Sequence, residues 1–288
     1  MVDPVAYHVG GYAIEFENRA SLRAGATPAE LLFQGDLPDR VDPRKSKLWT
    51  EDWLRVENQG QIGSCQGNAL TECLEYCYPV ATNGSIKQFS RMYAYIRSQQ
   101  MSNIRGDSGS TLEGGSKAAK EGICTEALAP YPNGYPGWNY ITQLMRDEAQ
   151  FYRLESYTEI ISADHMKQFI GSGIGIVQIG ITWGNEMNPD ASGCIRSFSG
   201  RAGGGHSVVF AGYVHEDDIK QKNNAGWWGL LKNSWGARWG VGGFAYVDPR
   251  AIDSMIRHQW SSFYGRSDMK TPTPRPLPVD FMKESLLG

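Results

Sequence analysis

The chain has 288 residues, 41% of them hydrophobic, which is enough for one substantial core or two modest lobes. Twenty-eight basic against thirty-one acidic residues give a formal net charge of -3, a balance that favours neither a nucleic-acid partner nor an anionic membrane surface. The apolar run IGSGIGIVQIGI is glycine-rich and falls short of the roughly 18 residues that a spanning helix needs, so a soluble, folded protein is expected.

The opening MVDPVAYHVGGYAIEFENR has no basic region followed by an apolar run, and no signal peptide is read there. Residues 1–36 are set apart as an N-terminal extension. From residue 65, CQGNALTECLEYCY places Ala69, Leu70, Cys73, Leu74 and Cys77 on a buried helical stripe, with Ser64 as the expected cap and Pro79 as the expected stop. Further helices are expected over 87–97 and 112–122, which makes 37–150 a mostly helical region. After Arg153 the texture changes to short apolar runs bounded by glycine: GIVQIGI, HSVVFAGYV, WWGLLKN and GGFAYV, read as strands of a second region, 151–266. Helices first and strands afterwards predict an α+β protein of two lobes with a ligand groove between them. Pro272, Pro274, Pro276 and Pro278 alternate in TPTPRPLP, so 267–288 is expected to be an extended arm lying on its own domain or on a protein partner.

Five cysteines, Cys65, Cys73, Cys77, Cys124 and Cys194, are odd in number and irregular in spacing, which suggests free thiols in a reducing compartment such as the cytoplasm. Cys73 and Cys77 stand one helical turn apart without a further Cys or His at metal-site spacing, and are read as small buried helix residues. Cys65 alone stands where a glycine-containing loop, QGQIGS, turns into a helix. Unpaired N–H groups at such a terminus favour the thiolate, the nucleophilic form. A thiolate needs a base that can return a proton, and histidine suits neutral pH. His206 is the candidate, because it joins the glycine-rich RAGGGH to the apolar strand SVVFAGY. His8, His165 and His215 sit in terminal or polar surroundings and are read as surface residues, and His258 lacks such a junction. Asn233, at the end of WWGLLKN, could offer a side-chain carbonyl to fix the imidazole.

Together these segments resemble the papain-like cysteine peptidase family. QGQIGSC looks like its nucleophile segment, GGHSVVFAGY like its histidine strand, and KNSWGARWGVGGFAYV like its asparagine segment. The likeness runs from Leu37 in LPDRVDPR to about Tyr264. His206 lies within the roughly 130–150 residues by which the family's histidine follows its cysteine, and Asn233 lies beyond that window, as an inserted loop would explain. The resemblance implies a helical lobe followed by an antiparallel barrel-like lobe, with peptide or protein substrates cut through a Cys65 thioester and no metal or organic cofactor. It further implies that Gln59 joins the Cys65 amide in an oxyanion hole, that Trp235 covers the Asn233–His206 bond, and that Gly114 and Gly115 bind an extended substrate. Ile62 and Leu112 stand where the family signatures carry a disulfide pair, so the two side chains are expected to meet in an apolar contact. Gln66 replaces the usual aromatic after the nucleophile. The 36-residue extension carries no recognised propeptide motif, which leaves a narrow groove, a strict specificity or blocking termini as the ways to restrain the enzyme. Two alternatives stay open: a structural or assembly protein that keeps the fold and binds through its terminal arms, and acyl transfer to an amine instead of water.

Overall fold

A computed structural model of the chain describes residues 10–26, 36–46, 55–201 and 203–271. After the short α1 (Arg19–Ala24), the first long helix is α2 (Cys65–Thr82), followed by α3 (Arg91–Ser102), α4 (Leu112–Glu121) and α5 (Gln143–Ala149). Every residue of α2 from Cys65 to Cys77 is buried. The Ser64 hydroxyl makes no cap bond and instead meets the Tyr131 hydroxyl. Pro79 does not stop the helix as expected. It lies in the last turn, and the helix ends at Asn83 in the left-handed region (φ 58°) with its N–H on the Pro79 carbonyl. Helix α3 begins after the 87–97 expectation, because the Ser90 hydroxyl accepts from the Tyr93 N–H at 3.0 Å and fixes the start at Arg91.

The second half supplies β1 (Arg153–Glu159), α6 (Ala163–Gly171), β2 (Ile176–Thr182), β3 (Cys194–Ile195), β4 (Gly205–His215), α7 (Glu216–Ile219), β5 (Trp227–Lys232), β6 (Phe244–Val247), α8 (Pro249–Arg257) and β7 (Ser262–Lys270). The seven-stranded sheet has the order β1-β7-β2-β4-β5-β6-β3, antiparallel except for the short β3–β6 pair. The four glycine-bounded runs are β2, β4, β5 and β6. Strands β1 and β7 escaped the apolar pattern because they carry charge: β7 buries Arg266, whose guanidinium donates to Gln178 Oε1 at 3.0 and 2.8 Å and to Ser116 Oγ at 2.7 Å. β7 also runs through the expected boundary at residue 266. The proline arm, 272–288, lies outside the described residues.

Helix α2 lies against β4, β7 and β2 on one side and against α3 and α4 on the other. Two buried charges seam this contact. Lys232 on β5 pairs with Glu72 on α2 and donates to the Arg55 carbonyl at 2.6 Å. Burial pushes the Glu72 carboxyl up, and Lys232 pulls it back. Removing one member of a buried pair leaves the other charge unpaired, which costs about 3–5 kcal/mol. Glu72→Ala and Lys232→Ala are each expected to lower unfolding stability by about that amount, whereas the double substitution should cost less than the sum. Urea unfolding of the three variants checks this, and additive effects would dissolve the seam.

Candidate active site

The loop before α2 is tied to both sides of the molecule. The Gln59 N–H donates to the Ser234 carbonyl at 2.9 Å, its side-chain Oε1 accepts from the Ser234 hydroxyl at 2.7 Å, and its Nε2 donates to the Ile62 carbonyl at 3.0 Å. One Nε2 hydrogen remains for an oxyanion. On the helical side, Asp107 Oδ1 accepts from the Gly63 N–H at 2.9 Å and from the Tyr95 hydroxyl at 2.8 Å. This carboxylate does what an Ile62–Leu112 contact was expected to do. Ile62 packs instead with Met92, Tyr95 and Ile96, while Leu112 belongs to a separate cluster with Tyr12, Leu22, Cys65, Tyr157 and Tyr264. The expected contact is therefore absent, since a side-chain carboxylate reaching two donors replaces it.

His206 opens β4 and is fully buried. Its Nε2 meets Asn233 Oδ1 at 2.9 Å, and that oxygen also accepts from the Ser234 N–H at 2.8 Å, which fixes the amide orientation. Trp235 stacks on the imidazole at 4.5 Å and 24°, and Trp183 meets it edge-on at 4.7 Å. Trp239 packs on both tryptophans. This wall keeps water from the His206–Asn233 bond and strengthens it by lowering the local dielectric. Trp183 and Trp239 were not singled out in the sequence, where neither stands at a diagnostic spacing. His165, His215 and His258 lie at a helix start, a helix cap and a helix end, away from this group. His8 lies outside the described residues.

Cys65 Sγ accepts from the Ser207 N–H at 3.3 Å, so the thiol sits against the residue that follows His206. It is nevertheless completely inaccessible. The cover is the N-terminal segment. Gly10 and Tyr12 donate to the Gly205 carbonyl at 2.9 and 3.2 Å, while Ala13 donates to the Ser110 carbonyl at 3.0 Å and Gly11 accepts from the Ser110 N–H at 3.1 Å. The segment thus bridges both walls of the cleft. A Cβ on Gly11 would fall 2.8 Å from Cys65 Sγ and 2.6 Å from the Gly63 carbonyl oxygen, so only glycine lets the backbone pass here. Glu17 anchors the segment further on, its carboxylate accepting from the Leu112 and Glu113 N–H groups at 2.7 and 2.9 Å at the start of α4.

Under this cover the helix terminus does not govern the thiol as the sequence suggested. Burial pushes Cys65 up to about 12, against the smaller pull of the Ser207 and Gln66 amides. Gly114 and Gly115 do not face the cleft either. Both lie inside α4, where a Cβ would meet the Ser98 carbonyl at 2.4 Å and Gln66 Nε2 at 1.9 Å, so they let α4 pack on its neighbours. The backbone that pairs with an extended segment belongs to Ser110, before the helix. Gln66, in the place of the usual aromatic, holds that residue by accepting from its hydroxyl at 2.8 Å.

The profile of the papain family cysteine proteases matches residues 37–262. The chain belongs to that family. It is 25% identical over 243 residues to cathepsin F of Drosophila melanogaster, covering 80% of this chain and 36% of that protein. It is also 25% identical over 248 residues to the KDEL-tailed cysteine endopeptidase CEP2 of Arabidopsis thaliana, covering 85% of this chain and 63% of that one. The chain thus spans less than two thirds of the length of these relatives. Among solved structures, xylellain, a cysteine protease from Xylella fastidiosa, superposes with a TM-score of 0.63 at 22% identity, covering 93% of this chain and 98% of its own. Bromelain from Ananas comosus, solved with the E64 inhibitor, superposes at 0.60 and 17% identity over 80% of this chain and 99% of its own.

A raised thiol pKa means less thiolate at any pH below it. At pH 7 a thiol held near 12 is ionised in roughly one molecule in 10⁵, whereas an unperturbed one near 8.5 is a few per cent ionised. Gly11→Val, which cannot pass Sγ, should displace the segment and raise iodoacetamide labelling of Cys65 at pH 7 by at least ~100-fold, with the onset moved to lower pH. Equal rates and equal pH profiles in the two proteins would show that the segment is not the barrier.

Proposed function

We propose that this protein is a cysteine peptidase that hydrolyses peptide bonds through Cys65, held latent by its own N-terminal segment. The observation that carries the reading is the buried His206 Nε2–Asn233 Oδ1 bond of 2.9 Å beside a cysteine at a helix start. With Nε2 committed to Asn233, Nδ1 is the ring atom that can exchange a proton with Cys65.

Once the segment leaves, the thiol regains solvent and the helix terminus, and its proton passes to His206. The thiolate attacks the peptide carbonyl. The oxyanion takes hydrogen bonds from the Cys65 N–H and from the second Nε2 hydrogen of Gln59, whose amide is already oriented by Ser234 and Ile62. His206 gives its proton to the departing amine, which leaves a thioester on Cys65. Water then attacks that thioester while His206 takes a proton, and the acid is released with the thiol restored. Asn233 is a neutral amide, so it orients the ring without adding a full charge. Five buried cysteines without disulfides fit a reducing compartment.

In the Gly11→Val background, Cys65→Ala and His206→Ala should abolish peptide hydrolysis. Gln59→Ala should lower kcat by about 10²–10³. Asn233→Ala should lower turnover substantially but leave it measurable, with Cys65 alkylation below pH 7 retained. Hydrolysis that survives Cys65→Ala would overturn the assignment. A reactive Cys65 that turns over no peptide would favour the assembly-protein alternative.

A further inference from the structure

Gly63 stands between the supports of the two groups that would hold an oxyanion. Before it, the Ile62 carbonyl accepts from Gln59 Nε2 at 3.0 Å and from the Ser64 N–H at 2.7 Å, and two residues after it comes Cys65, whose own N–H is the other donor. The Gly63 N–H donates to Asp107 Oδ1 at 2.9 Å, on the loop 103–111 between α3 and α4. A Cβ on Gly63 would fall 3.1 Å from that oxygen, 3.3 Å from the Gly109 nitrogen and 3.3 Å from Tyr95 Oη, so the missing side chain lets the two loops close on each other.

The same carboxylate oxygen reaches the wall of the cleft that pairs with an extended chain. It accepts from the Tyr95 hydroxyl at 2.8 Å, and Tyr95 Oη in turn accepts from the Gly109 N–H at 3.1 Å and from Gln99 Nε2 at 3.0 Å. Gln99 Nε2 also meets the Gly106 and Gly109 carbonyls at 2.8 and 2.9 Å, and Gln99 Oε1 accepts from the Tyr135 hydroxyl at 3.0 Å. Gly106 and Gly109, at φ 73° and 76°, give the loop the turns that this network holds. Gly109 precedes Ser110, whose N–H and carbonyl bond the N-terminal segment. Tyr95 and Gln99 are buried on α3, so the network rests on a rigid element. Asp107 is exposed and, among the described residues, forms no ion pair, so its part here is that of an acceptor.

Building on the peptidase reading above, we infer that Asp107 is a positioning residue for that reaction: one carboxylate oxygen sets the oxyanion donors through Gly63 and the substrate-pairing backbone of Ser110 through Tyr95. The two arms serve different steps. The Gly63 arm bears on the transition state, in which the carbonyl oxygen of the substrate takes up charge, and so on kcat. The Tyr95–Gly109 arm bears on how firmly an extended peptide is held in ground state and transition state alike, and so on KM.

The test measures peptide hydrolysis in the full chain carrying Gly11→Val, with further substitutions at Tyr95 and Asp107. Asp107→Ala should lower kcat by about 10-fold or more and raise KM as well, since both arms are lost. Tyr95→Phe leaves Asp107 on Gly63 but detaches Gly109, and should raise KM by about 2–10-fold at nearly unchanged kcat. Asp107→Asn keeps an acceptor oxygen and should recover most of the kcat lost in Asp107→Ala. Iodoacetamide needs the thiolate but neither the oxyanion donors nor Ser110, so it should label Cys65 near the parent rate in all three. Equal losses in Asp107→Ala and Asp107→Asn, or labelling that falls in step with hydrolysis, would overturn the inference and leave the peptidase reading standing. So would a Tyr95→Phe variant that loses kcat at unchanged KM, a result that decides the matter even where Asp107→Ala does not fold. A parent that takes iodoacetamide on Cys65 yet hydrolyses no peptide would overturn the peptidase reading, and this inference with it.

Discussion

Helix α2 is buried on every side, and the rest of the molecule is arranged to satisfy it. Three strands cover one face and two helices cover the other, so each polar group along it needs an internal partner. Glu72 finds Lys232, Glu75 accepts from the Phe89 N–H at 3.0 Å, and the Gln66 carbonyl accepts from Gln178 at 3.3 Å. These bonds fix the position of α2 relative to the sheet. Since Cys65 begins α2 while His206 and Asn233 lie on or just beyond strands of that sheet, the same bonds set the relative placement of these three candidate residues. Lys232 is the immediate neighbour of Asn233, so the seam reaches the site directly.

The covered cleft opposes two tendencies of that architecture. A helix terminus favours a thiolate, and burial disfavours it. Burial wins here because the N-terminal segment removes water from the sulfur and, among its described residues, brings no cation to replace it. The segment holds by backbone bonds to Gly205 and Ser110, by one buried ring and by the Glu17 carboxylate. Burial pushes that carboxyl up, and the two amides it meets oppose the shift. None of these hydrogen bonds is made to the side chains of Cys65, Gln59, His206 or Asn233.

Much of this was legible along the chain. Cys65, His206, Asn233, Gln59 and Trp235 stand in local strings whose composition already states their surroundings: a loop before a helix, glycines before a strand, an aromatic after an amide. Strand β1 escaped because it carries Arg153, Glu155 and Glu159, and β7 because buried Arg266 breaks an apolar pattern, with partners Gln178 and Ser116 distant in sequence. Gly114 and Gly115 misled for the opposite reason. A glycine pair has the same composition whether it binds a ligand or lets two helices approach, and only the neighbouring Ser98 and Gln66 distinguish the cases.

By itself, then, the sequence determined the local setting of each candidate residue, because helix starts, strand edges and titratable side chains follow from short-range order. The tertiary structure decided whether they are accessible. That Gly11 passes over Cys65, that Asp107 ties the loops assigned to Ile62 and Leu112, and that Gly180 leaves room for Tyr12 are all contacts between segments far apart in the chain. Such contacts depend on how distant segments meet in three dimensions, which residue order along a strand or helix does not encode.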